Sequence, residues 1–281
     1  MYKSLVGVDR LARHLGDSDW VIVDCRFDLA DTAAGRRQYE TAHIPGAVYA
    51  HLDDDLSGPP VTDRGRHPLP SPAALAALFS RLGIGEMTQV VVYDDKNGAI
   101  AARLWWELRY MGHEAVAVLD GGWAAWQAAG LPTRAGVEEN EPATFTGRPK
   151  AHWLVRLEEL PAQPLLIDSR SPARYRGEVE PLDPVAGHIP GAVNYFFQEN
   201  WSADGRYLPA AEIRARLEAV LDGAEPETAV FYCGSGVTAC VNLLALAHAG
   251  LGNGRLYAGS WSEWCADPAR PVAGVSSGAE A

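Results

Sequence analysis

The sequence predicts an α/β protein made of two tandem domains, each a central parallel β-sheet flanked by helices. The first observation is an internal copy. His43–Val48 reads His-Ile-Pro-Gly-Ala-Val and recurs at His188–Val193. Three further matches keep the same order, the four together at offsets of 138 to 145 residues: Val21–Arg26 with Leu165–Arg170, Val90–Asp94 with Ala229–Cys233, and Gly121–Trp126 with Gly259–Trp264. Two copies of this length make each copy a whole domain rather than a solenoid unit. The second observation is a set of short apolar runs bounded by turn residues, the pattern of strands buried on both faces. The third is helical spacing between those runs, and strand–helix alternation builds parallel sheets.

Taken in order, residues 20–24 read as the first buried strand. Ser71 followed by Pro72 opens a helix, with an N-cap hydroxyl and a proline in the first turn. A strand over 90–93, a helix over 100–111, a strand over 116–119 and a helix over 123–129, closed by Gly130, complete the first domain, residues 1–135. Residues 136–150 are polar and broken by Gly and Pro, as a linker is. The second domain, 151–275, repeats the pattern with strands at 165–168 and 229–232 and helices at 210–221 and 238–249, the last closed by Gly250. Residues 276–281 form a tail. Residues 228–254 carry no formal charge, a length that could span a bilayer. Cys233-Gly-Ser-Gly236 cuts that stretch, so it reads as strand, tight loop and buried helix. No signal peptide is expected at the N-terminus.

Composition excludes several classes. Twenty-four basic against 36 acidic residues give a net charge of −12, which argues against nucleic acid as a partner. Hydrophobic content of 47% and charged content of 21% describe a soluble globular chain. Four cysteines (Cys25, Cys233, Cys240, Cys265) are too few for a disulfide scaffold, so a reducing, cytoplasmic setting is expected. No His/Cys spacing suggests a metal, and no glycine pattern suggests a nucleotide or other cofactor.

The chemistry is expected outside the carboxyl ends of the strands. Cys233-Gly-Ser-Gly-Val-Thr238 lies between a buried strand and a helix. A glycine-rich turn feeding a helix aims successive backbone N–H groups at one point and forms an anion nest. A sulfur held there is stabilised as thiolate. Residues 233–242 contain no Lys, Arg or His. Stabilisation within the loop therefore falls to main-chain dipoles and to the Ser235 and Thr238 hydroxyls. Cys25 and Cys240 read as core, and Cys265 as structural.

The tandem copies, the Asp-x-Arg and His-Ile-Pro-Gly-Ala motifs, and Cys233-Gly-Ser-Gly-Val-Thr-Ala-Cys240 together resemble the rhodanese superfamily, most closely its two-domain sulfurtransferases. That group takes thiosulfate or 3-mercaptopyruvate as donor. The resemblance runs from about residue 5 to about residue 272 and implies double displacement through a covalent intermediate. Cys233 would take a sulfur atom from the donor as a persulfide and pass it to cyanide or a thiol, such as that of a thioredoxin-like reductant. The backbone of Gly234, Ser235, Gly236, Val237 and Thr238 would cradle it. Asp94 stands at the nucleophile position of the first copy, and a carboxylate carries no transferable sulfur, so that copy is expected to be silent.

A Cys-Gly-Ser-Gly loop without cations favours a monocarboxylate, 3-mercaptopyruvate, over dianionic thiosulfate, which stays open. Arg174 falls where the family places a carboxylate-binding arginine. Arg170 belongs to the Asp-x-Arg scaffold with Asp168, and Arg176 is ambiguous. The family's second arginine has no counterpart in the acidic stretch Glu178–Gly187. The resemblance also implies a Ser–His–Asp relay of Ser235, His67 and Asp53, with Asp54 and Asp55 as competitors for the last place. His43 and His188 recur in both copies and read as scaffold. The rival readings are a Cys-based phosphatase or arsenate reductase, which would need an arginine where Ala239 stands, and a non-catalytic binding module.

Overall fold

A computed structural model of the chain describes residues 1–61 and 64–274; residue 275 and the 276–281 tail lie outside the described residues. The chain divides into two compact units. One comprises Met1–Pro59, Leu69–Ala151 and Trp201–Leu208, the other Pro60–Pro68, His152–Asn200 and Pro209–Ala281.

The first unit contains β1 (Leu5–Val6), α1 (Val8–Ala12), β2 (Trp20–Asp24), α2 (Ala34–Thr41), β3 (Ala47–Tyr49), α3 (Pro72–Arg81), β4 (Gln89–Tyr93), α4 (Ala101–Tyr110), β5 (Val116–Leu119) and α5 (Gly122–Ala128). Its five strands are all parallel in the order β1-β5-β4-β2-β3. Every residue of β4 and β5 is buried, as strands covered on both faces require. Ser71 caps α3, its Oγ accepting the Ala74 N–H at 3.2 Å. The core of this unit gathers Ile22, Val91, Tyr93 and Trp126. Residues 136–150 form no helix or strand; they run extended along the unit, with Ala143 N donating to Ser80 O and Lys150 N to Tyr110 O.

The second unit contains β6 (Leu165–Asp168), α6 (Pro172–Tyr175), β7 (Val193–Asn194), α7 (Ala210–Leu221), β8 (Ala229–Tyr232), α8 (Ala239–His248), β9 (Arg255–Leu256) and α9 (Ser260–Trp264). Its parallel sheet has the order β7-β6-β8-β9. Val230, Tyr232 and Trp261 lie in its core. In both units the strand leading into the loop of interest, β4 or β8, is flanked on each side by another strand. The loops at their carboxyl ends therefore start from fixed points.

The repeated motifs hold the same geometry twice. Asp24 and Asp168 each pair with the arginine two residues on, Nη2 to Oδ2 at 2.6 and 2.7 Å, and all four side chains are buried. Each arginine also donates to the carbonyl before the repeated histidine, Ala42 or Gly187, at 2.7 and 2.6 Å, and lies 4.7 Å over Trp123 or Trp261. The Nδ1 atoms of His43 and His188 bond the carbonyls of Tyr39 and Tyr175. These residues therefore tie strand ends to helices in both copies.

Candidate active site

Cys233 follows β8 directly and is 2% exposed. Its loop is held from below by the start of α9. The Cys233 N–H donates to Ser260 Oγ at 3.1 Å, and Trp261 N and Ser262 N donate to the carbonyls of Cys233 and Gly234 at 3.0 and 2.9 Å. Gly236 has φ +75°, and a Cβ there would stand 2.4 Å from Ala258 O, so only glycine fits this turn. The Cys240 Sγ donates to Gly236 O at 3.4 Å from the first turn of α8. Val237 is buried, and Thr238 is half-buried just before α8 without a side-chain capping bond.

The first copy shows what such a turn holds. Asp94, fully buried after β4, accepts the N–H groups of Lys96 and Gly98 on Oδ1, both at 2.8 Å. Its Oδ2 accepts those of Ile100 and Ala101 at 2.7 and 2.8 Å. Four main-chain donors thus converge on one anion with no cation among them. Asn97 at φ 58° takes the place of Gly236 in this turn.

Ser235 and His67 meet in the second unit, with Oγ and Nδ1 2.7 Å apart and both residues buried. The segment carrying His67 is seated on α9. The Arg66 N–H donates to Ser262 Oγ at 3.1 Å, and a Cβ on Gly65 would strike Gly259 O at 2.7 Å. Asp53 belongs to the first unit, where burial pushes its carboxyl up. Its two competitors are engaged with His51. Asp54 lies 3.3 Å from the ring Nδ1, while Asp55 accepts the His51 N–H at 2.8 Å and pairs with Arg81.

Two guanidinium groups crowd the residue after the cysteine. A Cβ on Gly234 would meet Arg66 Nη2 at 2.9 Å and Arg174 Nη2 at 3.4 Å. Arg174 is held by Glu180 through Nε and Nη2 at 3.0 and 2.6 Å, and Asp183 pairs with both Arg174 and Arg66. Arg176 instead forms an exposed surface pair with Glu178. Sequence reasoning found Arg174 but missed Arg66. The only signal was that Arg66 precedes His67, and 168 residues separate that histidine from its partner Ser235. Cys25 and Cys265 are buried, and burial pushes both thiols up, which fits packing rather than nucleophilic roles. Among the described residues no group of three or more His, Cys, Asp or Glu could hold a metal ion, and no helix is long and apolar enough to cross a membrane.

Doubled parallel α/β units, one with a glycine-rich cysteine turn after a central strand, find their match among known proteins. The rhodanese-like domain model matches residues 7–129 and again 151–267, and the chain belongs to that family. It is 50% identical over 278 residues to a Pseudomonas aeruginosa protein named probable 3-mercaptopyruvate sulfurtransferase, covering 96% of this chain and 97% of that one. An Arabidopsis thaliana protein named thiosulfate/3-mercaptopyruvate sulfurtransferase 2 is 34% identical, covering 97% and 87% of the two chains. The solved structure of 3-mercaptopyruvate sulfurtransferase from Leishmania major superposes with a TM-score of 0.83 at 35% identity, covering 93% of this chain and 74% of the other. The chain is therefore an enzyme of the sulfurtransferase class, which acts on small-molecule sulfur donors and acceptors.

Proposed function

We propose that the enzyme moves sulfur from 3-mercaptopyruvate to a thiophilic acceptor through a persulfide on Cys233. The observation that carries the reading is the convergence at one turn of Cys233, the Ser235–His67 pair and the Arg66 and Arg174 guanidinium groups. The donor carboxylate would sit against the two arginines, whose planar forks suit it. The Cys233 thiolate attacks the donor sulfur. The carbon–sulfur bond breaks, its electron pair leaves with the carbon as the enolate of pyruvate, and a proton completes pyruvate. Delivery of that proton is assigned to the hydrogen-bonded Ser235 and His67. An acceptor, cyanide or a thiol such as that of a thioredoxin-like reductant, then attacks the outer sulfur and releases the Cys233 thiolate. Both thiolate and persulfide are anions, and the Asp94 turn of the first copy supports the same role for the main chain around Cys233. A reducing, cytoplasmic setting belongs to the proposal, in keeping with four cysteines that form no disulfide.

Thiosulfate is the second donor reading, favoured by the pair of guanidinium groups and by the double name of the Arabidopsis relative. Steady-state kinetics with both donors on wild type, Cys233→Ala and Arg174→Ala test the proposal. The expected result is a higher kcat/KM for 3-mercaptopyruvate, no turnover in Cys233→Ala and a raised KM in Arg174→Ala. A preference for thiosulfate would overturn the donor choice, and activity surviving in Cys233→Ala would overturn the mechanism.

A further inference from the structure

The acidic stretch before the second His-Ile-Pro-Gly-Ala motif lies at the same arginines. In the first copy four residues separate Tyr39 from His43, whereas 13 separate Tyr175 from His188, although both histidines make the same bond to the tyrosine carbonyl. In the copy with the cysteine the stretch from tyrosine to histidine is therefore nine residues longer (13 − 4), while that from Asp168 to Tyr175 is eight residues shorter than that from Asp24 to Tyr39. The insert before His188 is built to point inward. Trp261 Nε1 donates to Val185 O at 2.9 Å, and the N–H groups of Leu182 and Asp183 donate to Glu180 Oε1 at 3.1 and 3.2 Å. The side chains of Glu180 and Asp183 are each 3% exposed. Glu180 takes Arg174 on two nitrogens and also meets Arg170 Nη1 at 3.1 Å; Asp183 bridges Arg174 and Arg66.

We propose that Asp183, together with Glu180, is the donor-specificity determinant of this site: the insert matches the two guanidinium charges beside Gly234 with two carboxylates and so excludes dianionic donors. The inference rests on the proposed reading of Cys233 and the arginines. A dianion approaching Gly234 meets cations whose charge is already matched and whose forks are partly engaged, through Arg66 Nη1 and Arg174 Nε and Nη2, and it meets two fixed negative charges behind them. A monoanion suffers half that repulsion. Arg66 Nη2 and Arg174 Nη1, which face Gly234, take no bond from Glu180 or Asp183 and are left for a single carboxylate. Burial pushes the Asp183 carboxyl up while Arg66 and Arg174 hold it down, as expected for a carboxylate placed there at a cost in solvation.

The test is the ratio of kcat/KM for thiosulfate to that for 3-mercaptopyruvate in Asp183→Asn, Asp183→Glu and Cys233→Ser. Asparagine keeps the shape and removes the charge, so the ratio should rise about tenfold, the effect of one partly screened charge at this range. Asp183→Glu restores the charge and should restore the wild-type ratio. A merely structural role for Asp183 would lower both donors together and leave the ratio fixed, which overturns the inference. Should Asp183→Asn fail to fold, Glu180→Gln must shift the ratio in the same direction, and an unchanged ratio there also overturns it. If Cys233→Ser is inactive and the ratio does not move, only the role of the insert falls; if Cys233→Ser transfers sulfur, the persulfide reading falls and the insert with it.

Discussion

Asp94→Asn in the first copy measures what this kind of turn does for an anion. The Asp94 carboxylate is fully buried and accepts four main-chain N–H groups at 2.7 to 2.8 Å. Asparagine keeps one oxygen for two of them and turns an NH2 group toward the other two. Two charge-assisted bonds are lost, each with a net contribution of about 1.5–3 kcal/mol, and two buried donors are left facing a third. The expected loss is roughly 3–6 kcal/mol for the first unit, which lowers its melting temperature by on the order of 10 °C. Hydrogen exchange read by mass spectrometry over residues 94–104 localises the effect, because the amides of Lys96, Gly98, Ile100 and Ala101 should lose protection first. If the variant unfolds within about 1 kcal/mol of wild type, main-chain donors do not hold anions strongly here. The argument for a stabilised sulfur at Cys233 then loses its support.

Three further outcomes are expected. Arg174→Gln and Arg66→Gln each remove a guanidinium proposed to bind the donor carboxylate, and each should cut kcat/KM for 3-mercaptopyruvate by about tenfold to a hundredfold, chiefly through KM, in steady-state assays. Ser235→Ala and His67→Asn should lower kcat by at least about a hundredfold with a smaller effect on KM, the signature of proton delivery in the transition state. Burial raises the Glu107 carboxyl from 4.5 to about 7 against the pull of Arg103. The folded state then holds a proton that the unfolded state has released between pH 4.5 and 7. Stability of the first unit should therefore fall as pH rises through that window, by roughly 3 kcal/mol, and level off above it. Urea unfolding from pH 4.5 to 8 checks the sign, and a rise in stability over that range would contradict it.

The central strands and the helices beside them were legible because each is a self-contained pattern. Val90–Tyr93 and Ala229–Tyr232 are apolar runs between turn residues, and Ser71-Pro72 announces a helix start. The edge strands β1, β3, β7 and β9 have only two or three residues each. Such segments are defined by the neighbour they pair with, not by a period of their own. The cysteine turn was legible for the same local reason, since Gly236 and the β8–α8 junction lie next to each other in sequence. One of its two cations was not. The arginine opposite Arg174 comes from the Arg66–His67 segment, more than 160 residues upstream of Cys233, and no local spacing reports that approach. The acidic stretch Glu178–Gly187 read as the absence of an arginine. In three dimensions Glu180 and Asp183 fold back onto the arginines that are present, which depends on the anchoring of Val185 by Trp261.

The most direct measurement is the intact mass of the enzyme and of its Cys233 peptide after brief exposure to 3-mercaptopyruvate, followed by cyanide. One added sulfur atom on that peptide, lost again on cyanide treatment and never gained by Cys233→Ser, is the predicted result. Sulfur retained on Cys25, Cys240 or Cys265 instead, or turnover with no sulfur on any cysteine, would contradict the account.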